Sequence, residues 1–139
     1  MYVLEHIHEI NNFYSKLLRS TASKFNLNFE QAKLLFTIPY DGIILSDLAE
    51  ILGIDNSTLT RNIKKLLNNN FLNISFDQYD KRKKILFLTE KSIDIIEEIE
   101  KQMSIIFEKI NNFIEIDDIE KIYKSLEKLN WSLNCIDNE

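Results

Sequence analysis

Apolar residues recur along this chain at alternating three- and four-residue steps, interrupted by one short stretch in which every second residue is apolar. Val3, Ile7, Ile10, Tyr14, Leu17 and Thr21 fall on one face of a helix and predict a first helix over residues 3–24. Asn28 stands three positions before Gln31, the spacing of a capping box, and opens a second helix through Leu34, Leu35 and Ile38. Pro39-Tyr40-Asp41-Gly42 ends it, because proline and glycine break helical patterns. A short third helix runs from about Ser46 to Leu52, striped by Leu48, Ile51 and Leu52, with Gly53 just past its end where a left-handed backbone is wanted. Asp55 or Asn56 can cap a fourth helix, buried through Leu59, Ile63, Leu66 and Leu67. Its end falls in Asn68-Asn69-Asn70, and asparagine is the residue that best replaces glycine at a left-handed helix end.

The period then changes. Leu72–Phe76 alternates apolar and polar residues, as does part of Ile85–Leu88, and the polar linker Asp77–Lys84 between them predicts an antiparallel hairpin. After Thr89 the helical period returns. Ile96, Ile99, Met103, Ile106, Ile110 and Phe113 form one stripe; Ile119, Ile122, Leu126, Leu129, Leu133 and Ile136 form another, opened by Asp117 or Asp118. Stripes at this spacing ask for a facing helix. The pattern therefore predicts a mainly α fold with a small β-hairpin, as one integrated unit over residues 1–139.

Composition narrows the class. Two glycines and one proline are too few for an all-β fold, which needs frequent turns. A hydrophobic share of 45% with 28% charged residues is that of an ordinary globular chain able to bury a core. No apolar run approaches the ~20 residues of a membrane span. The first residues lack the basic segment and cleavage site of a signal peptide. Cys135 is the only cysteine, which excludes an internal disulfide. A cytoplasmic protein with no membrane partner is expected. The net charge of -5 argues against a nucleic-acid partner, but its distribution reverses that. Between Asn56 and Lys84 the bases Arg61, Lys64, Lys65, Lys81, Arg82, Lys83 and Lys84 face only Asp77 and Asp80, so a basic middle sits in an acidic remainder.

The chemistry lies in that middle. Two helices joined by the four-residue turn Gly53-Ile54-Asp55-Asn56 make a helix-turn-helix, and the hairpin after it makes a wing. Ser57, Thr58, Thr60, Arg61, Lys64 and Lys65 lie away from the apolar stripe of the second helix. Short hydroxyls near a helix start can reach base edges or phosphates, and arginine can grip guanine with two hydrogen bonds. Lys64 and Lys65, further along, suit phosphates, which position without reading sequence. On the wing, four adjacent bases need solvent or an anion to neutralise them. Arg82 suits a narrow minor groove, Asp80 would orient Arg82, and Lys81, Lys83 and Lys84 suit phosphates.

Other features carry less. His6 and His8 are two apart on a helix and face different ways, with no cysteine or histidine cluster to complete a metal site. Cys135 sits near a helix end beside Asp137 and Glu139, the opposite of an activating environment, and reads as inert. Phe13, Tyr14, Phe25, Phe36, Tyr40 and Phe107 read as core or interface, although they could line an effector cavity. Nothing resembles a nucleophile-base pair or a phosphate loop, so neither an enzyme nor a cofactor is expected.

Leu48-Ala49-Glu50-Ile51-Leu52-Gly53-Ile54 with Thr58-Leu59-Thr60-Arg61, and Asp77-x-x-Asp80-x-Arg82 running into Leu88-Thr89-Glu90-Lys91, resemble the MarR (multiple-antibiotic-resistance regulator) family of winged-helix regulators. The resemblance spans the chain. It implies a winged helix-turn-helix at 31–90, a connecting helix at 90–114, and dimerisation helices at 1–30 and 115–139. It implies helix 56–70 in the major groove of double-stranded DNA, Arg82 in the minor groove, and a homodimeric repressor on a pseudo-palindromic operator, released by a small-molecule effector. Three positions depart from the family pattern. Asn70 and Ser92 stand where glycine is usual, the second expected to matter little within a helix, and Ile74 where arginine is frequent. A competing reading is a winged-helix protein-interaction module, or a ligand-binding protein that does not bind DNA.

Overall fold

The computed structural model describes residues 2–139. Two compact units divide the chain, the first ending at Met103 and the second running Ser104–Glu139. The first holds α1 (Tyr2–Ser23), α2 (Phe29–Thr37), β1 (Ile43–Ile44), α3 (Leu45–Leu52), α4 (Asn56–Asn68), β2 (Leu72–Phe76), β3 (Lys84–Leu88) and most of α5 (Glu90–Phe107). The second holds the end of α5, a 3-10 turn (Glu108–Asn112) and α6 (Ile116–Asp137). It is a mainly helical winged-helix fold with one small sheet.

Local chemistry sets the helix ends. At α2 the Asn28 side chain accepts from the Gln31 N–H at 2.8 Å, and the Gln31 side chain accepts from the Asn28 N–H at 2.9 Å. This reciprocal box satisfies two donors that a helix start otherwise leaves orphaned. At α4 Asp55 accepts from the Thr58 N–H at 2.6 Å, which identifies Asp55 and not Asn56 as the cap. Gly53 closes α3 in the left-handed region at φ 66°, and Asn70 does the same beyond α4 at φ 60°. The glycine replacement in Asn68-Asn69-Asn70 is thus Asn70.

The sheet has the order β1-β3-β2, both pairings antiparallel. β2 and β3 form the hairpin, with Leu72 opposite Leu88 and Phe76 opposite Lys84. β1 went unread in the sequence: Ile43 pairs with Leu86 and Ile44 with Ile85, on the other edge of β3. Gly42, at φ 88°, precedes it where the Phe87 ring leaves no room for a Cβ.

The core of the first unit gathers Leu18 of α1, Leu35 of α2, Leu48 of α3, Leu59 and Leu66 of α4, Leu86 of β3 and Ile99 of α5, all fully or almost fully buried. Two stripe assignments shift. In α3 the buried set is Leu45, Leu48 and Ala49, whereas Ile51 is 64% exposed. In α1 only the second half is buried, through Leu17, Leu18, Thr21 and Ala22, while Val3, Ile7 and Ile10 face out. Among the described residues no buried side-chain polar atom lacks a hydrogen-bond partner.

The end of α4 is finished by the beginning of α5. The Thr89 hydroxyl donates to the Asn70 carbonyl at 2.7 Å, the Lys91 ammonium to the Asn69 carbonyl at 3.0 Å, and the Ser92 hydroxyl to the Phe71 carbonyl. Lys91 also lies 4.3 Å over the Phe71 ring. Ser92 is fully buried, so the serine expected to matter little carries a hydrogen bond that glycine could not make.

The second unit departs from one continuous stripe. α5 gives way to a 3-10 turn at Glu108, and Ile110 and Phe113 keep their three-residue step because that spacing also suits a 3-10 turn. α6 starts at Ile116 with Glu115 as its cap residue and no side-chain capping bond. Asp117 and Asp118 instead lie in its first turn, where carboxylates are favoured by the helix dipole. No residue of α6 is buried, although Ile122, Leu126, Leu133 and Ile136 share its apolar stripe.

Candidate nucleic-acid interface

Burial fixes how α4 is rotated. Leu59, Ile63 and Leu66 turn inward, which leaves Ser57, Thr60, Arg61, Lys64 and Lys65 exposed. Thr58 is half-buried, with its hydroxyl at the Asp55 carboxylate. Its amide bond and hydroxyl hold that carboxyl below the ordinary aspartate value, in that order of weight. The Thr60 hydroxyl donates to the Asn56 carbonyl at 2.7 Å, so its proton is committed to the helix and its oxygen is left to accept.

The wing tip is built by two carboxylates in succession. Asp77 accepts from the N–H groups of Tyr79 at 2.8 Å and Asp80 at 3.0 Å, a side-chain turn that starts the loop. Asp80 then accepts from the backbone N–H and from Nε of Arg82, each at 3.1 Å. The Arg82 side chain is 92% exposed even so. It stands out of the loop while one face of its guanidinium is held. The Tyr79 amide pulls the Asp77 carboxyl down from its usual value first, then that of Asp80. For Asp80 the Arg82 side chain is the leading cause and the Arg82 amide the second. Backbone bonds from Asp77 N–H to the Lys83 carbonyl and from Lys83 N–H to the Asp80 carbonyl close the loop.

A hollow of about 280 Å³ brings helix and wing together: Asn56 and Thr60 of α4, Ser46 of α3, and Arg82, Lys83 and Lys84 border it. Of the residues singled out in the sequence, Thr60, Arg82, Lys83 and Lys84 therefore share one concavity. Ser57, Arg61 and Lys64 are exposed on α4 outside its lining, and Lys81 is exposed at the tip. Lys65 lines a different hollow, with Arg19 and Asn69. Ser46 and Asn56 were missed as members of this surface. Both are polar residues at helix starts, a position that the sequence explains equally well by capping. The two-residue β1 pairs to β3 directly before α3, so the wing is hydrogen-bonded to the helix-turn-helix.

Among the described residues there is no group of histidines, cysteines and carboxylates able to hold a metal ion. Nor is any helix among them long and apolar enough to cross a membrane.

Comparison with known proteins gives a consistent answer. The model of the MarR family matches residues 27–84, from the start of α2 to the start of β3. The transcriptional regulator TcaR of Staphylococcus aureus, strain Newman, is 25% identical over 137 residues, covering 95% of this chain and 89% of that protein. Among solved structures, a MarR transcriptional regulator from Methanosarcina mazei Go1 superposes with a TM-score of 0.83 at 23% identity, covering 97% of this chain and 98% of that one. A mutant MarR from E. coli complexed with operator DNA superposes with a TM-score of 0.73 at 21% identity, covering 93% of this chain and 94% of that one. At these identities the two structures show the fold. The family match falls on the helix-turn-helix and wing described above, so over residues 27–84 the chain is similar to the MarR family.

Proposed function

We propose that this regulator is a homodimeric repressor that occupies a pseudo-palindromic operator in double-stranded DNA and is released by a small-molecule effector. The observation that carries the DNA reading is the concavity that joins Thr60 of α4 to Arg82, Lys83 and Lys84 of the wing, with Arg82 held by Asp80 and still exposed. A helix N-terminal half and a basic loop at that separation suit a major groove and its flanking backbone or minor groove. In this reading Ser57, Thr60 and Arg61 meet base edges, with Thr58 behind them at the cap. Arg82 enters the minor groove, and Lys64, Lys81, Lys83 and Lys84 meet phosphates.

Dimerisation is supported by apolar surface left uncovered within each unit. Tyr2, Val3, Leu4 and Ile10 of α1 are exposed, as are Ile122, Leu126 and Trp131 of α6. Two-fold symmetry then asks for half-sites about 10 bp apart or a multiple. Effector release rests on the similarity to the MarR family.

Selection of bound duplexes from random DNA tests the reading. Enrichment of an inverted repeat is expected, and Arg61→Ala should relax preference at one base position in each half. Recovery of no preferred duplex would return the chain to a protein-interaction or ligand-binding module.

A further inference from the structure

We infer that the hollow formed by α1, α2 and α4 binds a small multivalent oxyanion, seated between Arg19 and Lys65. It measures about 770 Å³, within the size range of small-molecule sites. Its lining includes both cations and no carboxylate. Neither cation has an ion-pair partner among the described residues. Two positive groups on one concavity without a counter-charge repel each other and are relieved by an anion that reaches both.

Asn28 and Gln31 add side-chain amides to the lining. The side-chain oxygens of Asn28 and Gln31 are occupied by each other's backbone N–H groups in the capping box. Their NH2 groups are thereby what each offers to a guest. Arg19 is held 5.1 Å over the Phe29 ring, so its guanidinium is partly immobilised before any ligand arrives. Fork-shaped arginine donors facing a lysine suit a phosphate or a pair of carboxylates, not a monovalent halide.

A free anion and a backbone phosphate of bound DNA share this chemistry, and the duplex arm of the test distinguishes them. Lys65 and Asn69 line this hollow while Thr60 and the wing line the other, and Lys64, one position before Lys65, is among the proposed phosphate contacts.

Calorimetric titration of the full chain with inorganic pyrophosphate and with citrate, against chloride at matched ionic strength, tests the site. Saturable binding of one anion per chain is expected. R19Q and K65Q should each weaken it about tenfold or more, while K33Q, exposed on α2 outside the hollow, leaves it unchanged. Both altered side chains are exposed, and a thermal melt of each variant confirms its fold. Absence of saturable binding would overturn the site, and so would binding that R19Q leaves intact or that R82Q abolishes instead. A duplex arm separates the two sources of phosphate. Random-sequence duplex should bind R19Q and the unaltered chain alike; duplex that displaces pyrophosphate and loses affinity in R19Q would make the hollow a seat for the DNA backbone.

Discussion

At the scale of single residues, Asp80 and Arg82 decide how the wing meets a polyanion. Asp80 is a negative charge on a basic loop, so point-charge reasoning predicts that deleting it strengthens DNA binding. The geometry predicts the reverse, because Asp80 holds Arg82 through its amide and its Nε. In a fluorescence-anisotropy titration Asp80→Ala should therefore weaken duplex binding, and Arg82→Ala should weaken it further and reduce the salt slope by about one. Tighter binding by Asp80→Ala would refute the positioning role. The pH dependence follows from the direction of the shift. The folded-state carboxyl lies below its unfolded value, so the Asp80–Arg82 arrangement is fully favoured above the unfolded value and lost as pH falls through the folded one. The Arg82 amide resonance should thus stay flat down to the ordinary aspartate value and move only as pH falls below it. This pair was legible in the sequence, since its partners are two positions apart. The Ser92 bond was not, because its acceptor lies 21 residues away in the chain.

Among elements, those whose ends are set by neighbours in sequence were readable, and those set by distant strands were not. Asn28 with Gln31, Asp55, Gly53 and Asn70 each act within a turn of their own helix, and each does what its residue type implies. β1 consists of two isoleucines whose strand character exists only through pairing with β3, some forty positions later. The 3-10 turn after α5 was hidden for another reason: its apolar spacing fits two helix types equally well. The two glycines offer a graded test by chemical denaturation. Gly53→Ala meets no neighbour and pays only for a left-handed backbone, about 1 kcal/mol. Gly42→Ala adds a collision, because its Cβ would lie 2.5 Å from a Phe87 ring carbon. It should cost about 2–3 kcal/mol and loosen the β1–β3 pairing, seen as faster amide exchange at Ile43 and Ile44.

For the whole molecule, the proposed self-association is tested on the exposed apolar stripe of α6. Light scattering at micromolar concentration should give twice the chain mass, and Leu126→Asp should shift it toward one chain. The same variant should bind a full operator far more weakly while a single half-site is affected little, since two linked modules gain by effective concentration. The basic middle was visible in the sequence, but which of its lysines act together was not. Folding placed Lys83 and Lys84 beside Thr60, and sent Lys65 to a separate hollow with Arg19.

The clasp between the end of α4 and the first turn of α5 bears on how freely that junction can move. Helix ends usually surrender their last carbonyls to water, which lets them fray and pivot. Here the carbonyls of Lys65, Leu66 and Leu67 accept from the amides of Asn69, Phe71 and Asn70, and Thr89, Lys91 and Ser92 hold the three carbonyls that follow the helix, at Asn70, Asn69 and Phe71. The linker after α4 is therefore pinned at three consecutive carbonyls to the first turn of α5.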